Sequence, residues 1–248
     1  MSRTVIIIPT YNEIENIHLI IRAITALPRS FDILVIDDNS PDGTAQAIKE
    51  IQKTQKHIHL IERSGKLGLG TAYITGFKWA LEQGYDYIFE MDADFSHDPN
   101  SLIPLLEACE QGADMSVGSR YIQGGKVVNW PRKRILLSYF ASIYVRLITW
   151  MPVSDTTGGF VCYKRNTLLS IDLDKISFVG YAFQIEMKYA VWSSGFKIKE
   201  VPITFKDREL GVSKMSTKIF KEAFWGVFQI RKNTLFNTTH YQALPPKS

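Results

Sequence analysis

The sequence predicts an α/β fold, a mostly parallel sheet flanked by helices, and three features predict it. Val5 to Ile8 is an unbroken β-branched run without polar alternation, the pattern of a strand buried on both faces. Short runs of this kind alternate with segments whose apolar residues recur at helical spacing, as far as about residue 120. Carboxylate-bearing turns follow three of the strands, and right-handed parallel crossovers would bring such turns to one edge of the sheet.

The elements follow in order. After the first strand, Pro9-Thr10-Tyr11-Asn12-Glu13 leads into a helix carrying Ile14, Ile17, Ile21, Ile24 and Leu27, with Asn12 as the expected N-cap and Glu15 in capping-box position. Ile33 to Ile36 is the second strand, ending in Asp37-Asp38-Asn39-Ser40-Pro41-Asp42-Gly43 before a helix with Ala45, Ile48 and Ile51. His57 to Ile61 reads as the third strand. Gly65 to Gly70 then turns into a helix with Ala72, Tyr73, Phe77, Ala80 and Leu81 on one face. Tyr87 to Met91 is the fourth strand, followed by a helix through Leu102, Leu105, Leu106 and Cys109 and the strand Met115 to Ser119.

Beyond Arg120 the texture changes. A glycine loop and a basic stretch around Trp130 precede the apolar, aromatic run Ile135 to Met151. Asp155 to Phe160 reads as a turn, Val161 to Tyr163 as a short strand and Ala182 to Trp192 as a helix. Lys197 to Val201 and Ile203 to Phe205 read as strands split by Pro202, and Asp207 to Lys214 as a charged loop. The last helix, about Thr217 to Arg231, mixes aromatic and basic residues, and residues from Asn237 on are expected to be a disordered tail. The expected organisation is one domain over residues 1–236, with a nucleotide-sized α/β half to residue 120, a second half over 121–236, and the tail over 237–248.

The 248 residues carry a formal net charge of +4 with 45% hydrophobic residues, ordinary for a globular chain and compatible with anionic small molecules or an anionic membrane surface. Lys and Arg are scattered rather than packed into one run, so no nucleic-acid partner is expected. Cys109 and Cys162 lack metal-ligand spacing and read as buried thiols in a reducing compartment. No signal-peptide pattern precedes Val5, and no apolar run reaches the roughly 18–20 residues of a membrane span. A soluble or peripheral protein is expected.

The fourth strand ends in Asp92-Ala93-Asp94. Residues i and i+2 of an extended chain share a side, so both carboxylates would face the space past the strand's carboxyl end, where open α/β sheets bind ligands. Two hard oxygen donors there suit Mg²⁺ or Mn²⁺ shared with a diphosphate. An isolated Asp-x-Asp more often closes a turn. Glu13, the Asp37–Asp38 pair and this pair together, all after strands, point to a cleft. Arg120, the Arg132–Arg134 cluster, Arg208 and Lys214 then suit a site that brings two anions together. Gly68-Leu69-Gly70 lacks both the Walker spacing and the third glycine of the dinucleotide fingerprint, so it reads as a tight turn. The runs 135–151 and 217–232 fit either core helices or helices lying on an anionic membrane.

Six motifs in order carry a resemblance: Pro9-Thr10-Tyr11-Asn12-Glu13, Asp37-Asp38 with Ser40-Pro41-Asp42-Gly43-Thr44, Gly65 to Gly70, Met91 to Asp94, Gly118 to Tyr121, and Gly180 to Glu186. Over about Val5 to Lys214 the chain resembles the family-2 inverting glycosyltransferases of the GT-A (Rossmann-like) fold, and among them the polyprenol (dolichol) phosphate mannosyltransferases. The resemblance implies that Pro9, Tyr11, Glu13, Ile36 and Asp38 hold the guanosine part of GDP-mannose. It implies that Asp92, Ala93 and Asp94 face nucleotide and sugar, with Asp94 the main ligand of Mg²⁺ or Mn²⁺. Asp92 would share that metal site, and Ser96 stands where some relatives carry a metal-binding Gln. Arg120, Arg208 and Lys214 match phosphate contacts, and Arg134 and Ser138, with Arg120, match residues that grip the lipid phosphate. The catalytic set it implies is Asp92, Asp94 and Arg120.

The implied reaction moves mannose from GDP-mannose to a polyprenyl (dolichyl) phosphate with inversion, on the cytoplasmic side of a membrane. C-terminal membrane helices carried by some relatives are not in this sequence, so anchoring by the chain's own amphipathic helices or by a small partner subunit is expected. UDP-glucose as donor stays open at this point, as does a receiver-like or inactive α/β binding module, which would leave the residues after Arg120 without a role.

Overall fold

The structure, a computed structural model, describes residues 2–180, 182–207, 217–237 and 239–243. Its strands are β1 (Thr4–Thr10), β2 (Asp32–Asp37), β3 (Ile58–Glu62), β4 (Tyr87–Glu90), β5 (Met115–Ser119), β6 (Lys126–Val128), β7 (Val161–Lys164), β8 (Ile198–Pro202) and β9 (Thr204–Lys206). Its α-helices are α1 (Ile14–Thr25), α2 (Thr44–Gln52), α3 (Leu69–Glu82), α4 (Leu102–Glu110), α5 (Arg132–Thr149), α6 (Arg165–Leu169), α7 (Ala182–Ser193) and α8 (Thr217–Phe236).

Seven strands form one sheet in the order β3-β2-β1-β4-β7-β5-β8. All neighbours are parallel except β7, which runs antiparallel between β4 and β5. The α/β, mostly parallel expectation holds. The expected strand at Val161 to Tyr163 is β7, and what differs is its antiparallel direction, which a short apolar run does not reveal. β6 and β9 form a separate parallel pair, so Pro202 marks the point where the chain leaves the main sheet for the small one.

The unbroken apolar run of β1 follows from its burial on both faces. Val5 and Ile7 pack with Tyr73, Phe77 and Phe183 from α3 and α7, while Ile6 and Ile8 pack with Ile17, Ile21 and Leu105 from α1 and α4. Gly76 lets α3 lie directly on the sheet, since a Cβ there would come within 2.7 Å of Ile7. With both faces covered, polar groups can gather only past the strand ends.

The cap of α1 differs from the expected Asn12–Glu15 box. Asn12 takes a left-handed φ of 57°, so Glu13 becomes the N-cap residue, and its side chain makes no cap hydrogen bond. The next turn supplies the acceptor instead: the Ile14 N–H donates to Asp42 Oδ2 at 3.0 Å, and the Asn12 and Glu13 N–H groups donate to Ser40 and Thr44. Asp42 Oδ1 also accepts from the Thr44 hydroxyl at 2.6 Å. Residues 239–243 depart from the expected disordered tail. Tyr241 is buried and donates to Glu186 Oε1 at 3.1 Å, and Gln242 bridges to Ile171.

Asp42→Ala should leave the first N–H of α1 without an acceptor and destabilise the fold by about 1 kcal/mol, the usual cost of a lost helix cap. Urea unfolding with an unchanged m-value checks it.

Candidate active site

Past β4 the chain folds back on itself through Phe95, whose φ is 59°. The Ser96 N–H donates to Asp94 Oδ1 at 3.0 Å, and the Asp92 N–H donates to His97 Nδ1 at 3.3 Å. His97 stacks on Phe160 at 4.7 Å and lies edge-on to Phe205 of β9. Burial pushes its pKa down to about 4, with Asp94 pulling the other way. The ring is therefore neutral, and since Nδ1 accepts, its proton sits on Nε2.

Asp92 and Asp94 line one cavity of about 530 Å³. Ser96, Arg120, Arg134 and Ser138 line it too, so the structure brings the predicted metal and acceptor-phosphate residues together. Ala93 is buried between the two aspartates. The cavity also has an apolar lining, which includes Leu137, Phe140 and Val145 of α5, Ile185 of α7 and Val227 of α8.

Arg120, at the end of β5, faces Asp155, which has no exposed surface. Its backbone N–H donates to Asp155 Oδ2 at 2.9 Å, Nε to the same oxygen at 2.6 Å, and Nη2 to Oδ1 at 2.6 Å and Thr157 Oγ1 at 2.9 Å. Burial raises the Asp155 pKa, but the charge and hydrogen bonds of Arg120 outweigh it and hold the carboxyl below its ordinary value. Arg134 lies 3.9 Å over the Trp130 ring and pairs with Asp207 at 3.1 Å.

The residues expected to hold the guanosine lie further along the same sheet edge, at the ends of β1 and β2, and do not line this cavity. Asp38 is paired with Arg63, whose Nε donates to Oδ1 at 2.6 Å. Arg63 also reaches Thr71 at 2.7 Å and the Gly68 carbonyl, joining the β2 turn to the start of α3. Lys66 sits 4.8 Å over the Tyr11 ring, and Glu13 accepts from Asn16 at 2.9 Å. Pro9 is half-buried beside them. Asp37 is a turn-builder, accepting from Thr10 and Ser40. The Ile36 side chain is core, with no exposed surface, which leaves the β2 backbone at this position to meet a nucleotide. Arg208 and Lys214 lie outside the described residues.

Several site residues escaped sequence reasoning. Asp155 was visible only as part of a turn, and its pairing with Arg120 spans 35 residues. Arg63 and His97 stand outside any motif. Below the cavity, Glu90 and Lys188 are fully buried. Burial pushes the Glu90 carboxyl up and the Lys188 ammonium down, each opposed by the other's charge.

The test for a metal is chemical. Asp92 and Asp94 offer hard oxygen donors, and the buried Ser96 Oγ beside them has no hydrogen-bond partner among the described residues. Among those residues no three His, Cys, Asp or Glu side chains cluster as a metal cage. The set fits an ion of the Mg²⁺ or Mn²⁺ type that takes the rest of its shell from phosphate and water, and does not fit a closed structural site.

Residues 5–170 match the sequence profile of Glycosyl transferase family 2. The chain is 46% identical over 232 residues to a polyprenol monophosphomannose synthase of Mycolicibacterium smegmatis, covering 91% of this chain and 88% of that one. It is 47% identical over 231 residues to an undecaprenyl-phosphate mannosyltransferase of Micrococcus luteus, covering 91% and 94%. Among solved structures it is similar to glucosyl-3-phosphoglycerate synthase from Mycobacterium tuberculosis in complex with Mn²⁺, UDP-glucose and phosphoglyceric acid. That match has a TM-score of 0.67 at 15% identity over 93% of this chain and 80% of that one, a likeness of fold. The chain belongs to glycosyl transferase family 2.

His97 sets a pH signature. Its folded pKa of about 4 lies below the ordinary 6.5, so the unfolded chain binds the proton more readily. The stability contributed by the neutral ring is whole above pH 6.5 and is lost as pH falls through about 4. Melting temperature measured across this window should fall less steeply in His97→Gln, which keeps an acceptor for the Asp92 N–H but cannot titrate.

Proposed function

We propose that this family 2 glycosyltransferase moves mannose from GDP-mannose to a polyprenyl phosphate with inversion, giving polyprenyl β-D-mannosyl phosphate and GDP. The observation that carries the reading is the mixed lining of one cavity. Carboxylates and Arg120 share it with apolar side chains of α5, α7 and α8, the profile of an acceptor with an anionic head and an isoprenoid tail. Both mannosyl relatives take a polyprenyl-type acceptor by name.

A phosphate monoester has a second pKa of about 6 and is already anionic near neutral pH. One of its oxygens attacks the anomeric carbon as the bond from that carbon to the diphosphate oxygen breaks, and GDP leaves with the bonding pair. No proton has to be removed from the nucleophile. This agrees with His97, whose Nδ1 is occupied by the Asp92 N–H. Arg134 and Ser138 would hold the acceptor phosphate, with Arg120 oriented by Asp155. Asp92, Asp94 and Ser96 would hold Mg²⁺ or Mn²⁺, which when bound neutralises the leaving diphosphate. The guanosine would lie along Pro9, Tyr11, Glu13 and Asp38, and Arg208 and Lys214 would reach the donor phosphates.

No helix of the described residues is long and apolar enough to cross a membrane. Leu136, Phe140, Leu147 and Trp150 on and just after α5, with Trp225 and Leu235 on α8, are each more than half exposed. These residues support a peripheral position with these helices on a lipid surface, and the cytoplasmic face of a membrane is the surface proposed.

Asp94→Ala should cut transfer by at least about 100-fold while leaving the melting temperature near that of the unaltered chain. Transfer assayed with GDP-mannose and with UDP-glucose, each with and without EDTA, checks donor and metal together. Near-normal turnover in the variant or in EDTA would remove the metal assignment, and preference for UDP-glucose would replace the donor.

A further inference from the structure

Under the cavity runs a chain of buried polar groups that the transfer chemistry leaves unused. It begins at Glu90, the last residue of β4 and two residues before Asp92. Glu90 accepts from the Tyr163 hydroxyl at 2.7 Å and from Gln184 Nε2. Gln184 Oε1 in turn accepts from Lys188 Nζ at 3.2 Å, and Lys188 Nζ donates to the Gly158 carbonyl at 2.6 Å. The Gly158 N–H donates to Asp155 Oδ1 at 3.0 Å, and Asp155 holds Arg120. The chain thus connects the two sides of the site, from the end of β4, which leads into Asp92 and Asp94, to the cation at the end of β5.

Such a chain is not the cheapest way to fill a core. Glu90 and Lys188 have no exposed surface, and two buried charges are often no more stable than an apolar pair of the same volume. Their location suggests what they do. Gly158 and Gly159 line the cavity, and the turn that holds them is closely fitted: a Cβ on Gly158 would lie 3.2 Å from the Gly118 carbonyl. The Glu200 carboxylate fixes the start of this turn through the Ser154 and Asp155 N–H groups. Lys188 fixes its far side.

We propose that Lys188 is a positioning residue for the transfer reaction: by binding the Gly158 carbonyl and Gln184 together, it holds the Asp155–Gly159 turn, and with it Arg120, in place against the Asp92–Asp94 end of β4. The inference rests on the transfer reaction proposed above. It predicts a loss in the chemical step rather than in donor binding, because the residues expected to hold the guanosine lie at and past the ends of β1 and β2, away from this chain, and the proposed partner of Arg120 is the acceptor phosphate.

The test must separate position from charge balance. Lys188→Met alone leaves Glu90 buried without its cation, and is expected to lower both stability and activity. The double variant Lys188→Met with Glu90→Gln removes both charges. It should regain most of the lost melting temperature yet keep kcat about 10–100-fold below the unaltered chain, with KM for the sugar nucleotide within about twofold. Recovery of kcat together with melting temperature would make the network structural only and overturn the proposal, as would a double variant that does not fold. The comparison is read as a ratio to the unaltered chain with whichever sugar donor that chain accepts. Absence of mannosyl transfer by the unaltered chain would therefore count against the proposed function, and the ratio would still decide the role of Lys188.

Discussion

Arg120 gives Asp155 its backbone N–H and two guanidinium nitrogens, and through that pair the end of β5 is joined to the turn that enters β7. Neither partner has water to fall back on: Asp155 has no exposed surface and Arg120 has 8%. Removing either one would strand a charge in the interior, a loss of roughly 3–5 kcal/mol for buried pairs of this type. Because β7 lies between β4 and β5, the pair also fixes how far the cation stands from the two aspartates past β4. The placement of Arg120 against the aspartates is therefore set by packing of the sheet.

The sheet explains why the cavity has two characters. β1 to β5 spend their side chains on the cores above and below, which leaves the strand ends for polar groups. α5 and α8 come from the second part of the chain and meet beside that polar edge, with Tyr144 stacked on Phe224 at 4.8 Å. Apolar residues of both line the cavity, Leu137 and Phe140 among them more than half exposed, and further large aromatic and aliphatic groups of the two helices are exposed beside it. A nucleotide sugar alone would need no apolar lining of this kind. An acceptor with a long hydrocarbon tail would, and the exposed side of the same helices is suited to the surface that such an acceptor comes from.

Much of this was legible in the sequence, for identifiable reasons. The strand of β1 could be read because burial on both faces writes a continuous apolar run. The Asp92–Asp94 pair could be read because the alternation of strand residues keeps i and i+2 on one side, and both do line the cavity. The direction of β7 could not be read, since an apolar run of four residues fits either orientation. The α1 cap was misread because Asp42, its acceptor, comes from a turn 28 residues away. Tyr241 was misread as tail because a polar, proline-containing terminus gave no sign of its pocket beside Glu186. Asp155, Arg63 and Lys188 share one difficulty: each matters through a partner distant in sequence, and single-chain periodicity carries no record of such pairs.

The central claim is that one cavity recognises an anionic head and an apolar tail together. Its most direct test compares mannosyl transfer to a short prenyl phosphate, to the matching prenol without phosphate, and to inorganic phosphate, at equal concentrations and with the same donor. The account predicts transfer to the prenyl phosphate, with the other two at least about 100-fold poorer acceptors, since each lacks one half of what the cavity binds. Comparable transfer to inorganic phosphate would contradict the role of the apolar lining, and comparable transfer to the prenol would contradict attack by an already ionised phosphate.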